Sequence, residues 1–69
     1  SGGDAAEALA FAREAVDLEP NHGEHRLLLG QPLLTAGRPL EAQIEVDAAA
    51  RLLPGDPRVE TLQKKLRKT

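Results

Sequence analysis

The sequence predicts an all-α fold, a stack of about four antiparallel helices, and three observations lead there. Leucine and alanine, 12 and 11 of the 69 residues, supply most of the apolar content, while β-branched residues are few. That balance favours helix over strand. Apolar residues recur at spacings of three and four along the chain. Proline and glycine then cut it at intervals, at Glu19-Pro20, Gly37 and Leu53-Pro54-Gly55.

Four helices follow from this punctuation. The first is expected from about Ala5 to Leu18, with Asp4 as cap and Glu7 completing a capping box. Its apolar residues are Ala8, Leu9, Phe11, Ala12, Ala15, Val16 and Leu18, and Glu19-Pro20 stops it because a residue before proline is pushed out of the helical region. The second is expected from about Gly23 to Thr35, capped by Asn21 with Glu24 as box partner. Leu27, Leu28, Leu29, Leu33 and Leu34 make it the most apolar, so it should be covered on more than one side. Gly37 fits the left-handed position just past its end. Pro32 lies inside it and predicts a kink near residues 28–32. The third should run from about Pro39 to Leu53, with proline in the first turn where its missing N–H is harmless. The fourth starts at Asp56-Pro57 and carries one apolar stripe, Val59, Leu62 and Leu66.

The charge is asymmetric. Residues 1–56 hold ten acids against four arginines, a net −6, whereas residues 57–69 hold five bases against Glu60, a net +4. Lys64, Lys65, Arg67 and Lys68 could contact an anionic surface. The plainer reading, a solvated last helix whose cations complement its own dipole, is favoured, since no aromatic platform for nucleic-acid bases accompanies them. No apolar run approaches the roughly 18 residues of a membrane span, so a soluble chain, with a cytoplasmic location favoured, is expected. The absence of cysteine excludes a disulfide framework and thiolate metal sites.

The most informative signal is internal. Sliding the chain along itself by 34 residues aligns Gly3 with Gly37, Glu7 with Glu41, Ala8 with Ala42 and Ala15 with Ala49. The same shift aligns Leu18 with Leu52, Pro20 with Pro54 and Leu28 with Leu62. Thirty-four residues is the length of a helix–turn–helix unit, and the sequence resembles the tetratricopeptide repeat family. The places of the family pattern are held by Arg26, Leu29-Gly30 and Leu33 in the first helix of the unit, and by Ala42, Val46 and Pro54 in the second. The three aromatic positions of that pattern are occupied by Arg26, Leu33 and Val46, so the core should be thin.

The resemblance implies a solenoid fragment: residues 1–22 as the second helix of an incomplete repeat, 23–56 as a complete repeat and 57–69 as a C-terminal capping helix. It also implies a protein–protein interaction module that holds a peptide or partner helix in a concave groove, with Glu24, Leu27, Gln31, Leu34 and Thr35 as the groove-facing candidates. Two leucines there suit an apolar or mixed peptide, unless neighbouring repeats cover them. The incomplete repeat leaves an apolar face open on the first helix, with Leu9, Phe11 and Val16 as candidates for self-association in a homodimer. The same face would be covered if the chain were cut from a longer array. The alternative functions are a non-catalytic segment of a larger enzyme and anionic-surface binding through the basic C-terminal tail.

Residues for catalysis are scarce. The lone serine is at the terminus, there is no cysteine or tyrosine, and nothing places a histidine beside a threonine or lysine. His22 and His25 have the spacing of two ligands on one helix turn but no third partner at a suitable distance in sequence, so neither metal nor cofactor is expected.

Overall fold

A computed structural model describes residues 3–68, with side chains from Ala6 onward. It contains helices α1 (Gly3–Leu18), α2 (Gly23–Thr35), α3 (Pro39–Leu52) and α4 (Pro57–Arg67), joined by turns of three or four residues, and no strand among the described residues. The start of α2 meets the end of α3, Gly23 against Leu53, and its middle meets the middle of α3, Gly30 against Val46. These contacts make the two helices an antiparallel hairpin. Helix α1 packs on one side of α2, and α4 closes against α3 and α2 on the other.

The ends of the helices follow from a few residues. Helix α2 stops in a Schellman arrangement: Gly37 adopts φ 78°, its N–H donates to the Leu34 carbonyl, and the Arg38 N–H donates to that of Leu33. Gly55, also at φ 78°, turns the chain between α3 and α4. At α4 the Asp56 carboxylate accepts the Arg58 N–H at 2.8 Å, the only side-chain cap recorded at a helix start among the described residues. Capping of α2 departs from the sequence expectation. The N-cap is His22 rather than Asn21, with no side-chain bond, because Asn21 belongs to the turn closed by the His22 N–H on the Glu19 carbonyl. The Asp4 cap expected for α1 involves a side chain outside the described ones. Helix α2 runs without interruption across Pro32, which sits in its last turn, so the proline does not break it.

The core is apolar throughout and thin. Ala12, Val16, Leu29, Leu33 and Ala42 form one cluster, and Leu27, Val46, Ala49, Val59 and Leu62 another, with Leu34 and Leu66 half-buried between them. The largest fully buried side chains are Leu33 and Val46, two of the positions where an aromatic is missing. Alanine and glycine offset the lost volume by letting backbones approach. A Cβ on Gly30 would lie 2.8 Å from the Val46 Cγ2. The third such position, Arg26, acts through its charged end: Nε donates to the Pro20 carbonyl at 2.9 Å and Nη1 reaches Glu45 at 3.0 Å. This side chain therefore ties the α1–α2 turn to α3.

Candidate functional site: a groove between α2 and α4

Helices α2 and α4 border an open groove of about 380 Å³. Four of its lining residues come from α2, Glu24, Leu27, Leu28 and Gln31, and four from α4, Arg58, Thr61, Leu62 and Lys65. Each α4 residue stands 34 positions after its α2 counterpart. Two successive copies of one helical face thus form the two walls. Buried Leu27 and Leu62 give the groove an apolar floor, and Leu28 adds an exposed apolar edge.

One end of the groove is ionic. The Arg58 guanidinium lies 3.4 Å from Glu24 across the groove and 2.8 Å from Asp56, the cap of its own helix. The hydrogen bonds from its guanidinium hold the Asp56 carboxyl at about 2, well below its ordinary value. They also raise the basicity of Arg58 itself, with Asp56 the larger cause and Glu24 the smaller. The other end carries Gln31 and Lys65. Such a surface offers hydrogen bonds and both signs of charge over an apolar base.

Of the groove residues expected from the sequence, Glu24, Leu27 and Gln31 lie here. Leu34 turns inward, half-buried between the two core clusters, because it lies on the side of α2 that α3 and α4 cover. Thr35 faces α1 instead, beside Ala8, Leu28 and Pro32, and its hydroxyl donates to the Gln31 carbonyl at 3.1 Å. Sequence reasoning passed over Leu28 and the whole α4 wall. The 34-residue shift, applied to Glu24, Leu27 and Gln31, reaches Arg58, Thr61 and Lys65 directly.

The self-association set also separates. Val16 is buried and Leu9 is half-buried against the same core, while Phe11 is 77% exposed. The open face of α1 is therefore a different set, Ala8, Phe11, Ala15 and Leu18, since α2 packs on the side that carries Leu9, Ala12 and Val16. Lys64, Lys65 and Arg67 occupy the last turn of α4 and Lys68 follows it, all exposed. His22 and His25 stack with ring centres 3.9 Å apart, and His25 Nδ1 lies 3.7 Å from Glu19. Among the described residues no group of three His, Cys, Asp or Glu is arranged to hold a metal ion. No helix among them is long and apolar enough to cross a membrane.

Short helices paired in antiparallel hairpins, repeating at 34 residues and lining a groove with equivalent positions, define a helical-repeat protein of the solenoid class. The family model described as Tetratricopeptide repeat matches residues 1–66, and the chain belongs to that family. Its members generally mediate protein–protein interaction. No curated protein and no solved structure matches the chain.

Proposed function

We propose that the chain is a non-catalytic interaction module that holds an extended peptide of mixed apolar and polar character in the α2–α4 groove. The observation that carries this reading is the pairing of register-equivalent residues across the groove, with Leu27, Leu28 and Leu62 apolar and Glu24, Arg58, Gln31 and Lys65 polar. A side chain of the ligand would rest on the leucines while its backbone is met by the flanking polar groups. Residues 23–56 serve as the complete repeat, 1–22 as the second half of another, and 57–69 as a cap. The cap assignment is supported by substitution: where α2 has Leu29, Gly30 and Leu33, α4 has Gln63, Lys64 and Arg67, a polar outer face of the kind that ends a solenoid.

The test is affinity capture with the protein as bait, followed by identification of the bound peptide segment and titration against variants. Leu28→Asp and Lys65→Glu should each weaken binding about tenfold or more, with the helical circular dichroism unchanged. Equal binding by both variants and the parent would remove the α2–α4 groove from consideration.

A further inference from the structure

Helix α3 buries Ala42, Val46 and Ala49 and turns the opposite side to solvent. That outer side carries Leu40, Ile44, Asp47 and Arg51, at the spacings of one helix face. All four are exposed, Leu40 by 80% and Ile44 by 63%. Thirty-four residues earlier, the same face of α1 carries Ala6, Ala10, Arg13 and Asp17, also exposed.

Stacked repeats leave this surface open. Helix α1 already has the following α2–α3 hairpin packed against it, and its outer face stays in solvent. Helix α3 already has the equivalent helix α1 before it, bridged to it by Arg13 and Glu41, and its outer face stays in solvent too. Each helix therefore shows what a neighbouring repeat does on one side, and on neither side does it cover these positions.

The two faces match in position and are opposite in character. Large Leu40 and Ile44 answer to small Ala6 and Ala10, Asp47 answers to Arg13, and Arg51 answers to Asp17. None of the charges is used across the pair within the chain. The side chains of Asp17, Asp47 and Arg51 make no hydrogen bond or ion pair among the described residues, and Arg13 meets Glu41. As equivalent helices of one repeat, α1 and α3 run the same way. A half-turn about an axis parallel to both therefore lays α1 of one copy on α3 of another, in register, and does so twice. Leu40 and Ile44 then rest on Ala6 and Ala10 of the second copy, while Asp47 meets its Arg13 and Arg51 its Asp17. Arg13 has five donors and can serve Glu41 and the incoming Asp47 together. Placing α1 on α1, or α3 on α3, in this register would set like charges against each other. We infer that the outer face of α1 and α3 is a symmetric self-association surface whose occupant is a second copy of this chain. It is separate from the α2–α4 groove and does not depend on a peptide binding there.

Sedimentation equilibrium of the protein up to about millimolar concentration tests this, and a monomer–dimer equilibrium is expected. Leu40→Asp and Ile44→Asp should each raise the dissociation constant at least about tenfold, with the helical circular dichroism unchanged because both side chains lie outside the core. Arg51→Asp should raise it by a similar factor, and adding Asp17→Arg to that variant should bring it back to within about threefold of the parent. A protein that stays monomeric throughout would overturn the proposal, as would a dimer that both apolar variants leave intact or a charge exchange that fails to restore association. A dimer that only Phe11→Asp dissociates would place the contact on another face of α1. Capture of a different protein by the monomer, lost in Ile44→Asp, would assign the surface to that protein. Association of the 69-residue chain but not of a longer polypeptide that contains it would assign the surface to a segment of the same molecule.

Discussion

Single residues in this protein are decided by distance. Alanine at position 30 would ease helix formation by about 1 kcal/mol. Its Cβ would also stand 2.8 Å from the Val46 Cγ2, and a valine has little rotational freedom with which to yield. Overpacking of this kind typically costs about 1–3 kcal/mol, so Gly30→Ala should be destabilising. Thermal denaturation checks this, and a double variant with Val46→Ala should be less unstable than the two single losses added together. Asp56 is decided by charge. Its carboxyl is held at about 2 in the fold against an ordinary 3.8, first by the Arg58 side-chain hydrogen bond and then by the Arg58 backbone bond. The folded state therefore binds its proton more weakly than the unfolded state. The resulting stabilisation is complete above about pH 4 and is lost as pH falls toward about 2. In Asp56→Asn the cap acceptor remains while the titration is removed, so the slope of stability against pH in that window should flatten.

At the scale of the helix, boundaries were legible and orientation was less so. Pro20, Gly37 and Pro54 each mark a helix end for a reason that acts within a few residues, and α1 to α3 end within a residue of the expected places. Whether Val16 or Phe11 faces the core depends on where α2 lies, a tertiary fact that apolar spacing in α1 leaves open. The groove residues divide in the same way. Glu24, Leu27 and Gln31 were found from one helix, but Leu34 and Thr35 depend on how α1, α3 and α4 surround it. Pro32 sets the remaining prediction at this scale. It lacks the N–H that would donate to the Leu28 carbonyl, and it sits within the last turn of α2. Pro32→Ala should stabilise the protein by about 1–3 kcal/mol. A lowered midpoint in urea would show instead that packing of the proline ring outweighs the recovered hydrogen bond.

For the molecule as a whole, the thin core sets the margin. A chain of this size with no disulfide has about 3–5 kcal/mol of stability to draw on. Leu33 is 1% exposed at the centre of one core cluster, and a leucine-to-alanine change in such a place costs about 2–5 kcal/mol. Leu33→Ala should therefore leave a largely unfolded chain at 25 °C, visible as loss of the helical circular dichroism. Cross-links at the surface do not compensate, because pairs such as Arg13–Glu41, at 2.8 Å but half in water, contribute little. The 34-residue shift conveyed most of this architecture in advance, since it reports packing that repeats in space. What it left out was the charge pairing of Arg26 and Arg58, which arises where the two copies differ.

The matched walls of the α2–α4 cleft have one more consequence. Its composition is written in columns, so that Glu24 and Arg58 share one column and Gln31 and Lys65 another. For the peptide proposed to lie there, exchanging both members of a column would retune the preference for a single side chain and leave the turns between the helices untouched. If a peptide is read there, its specificity would drift one rung at a time.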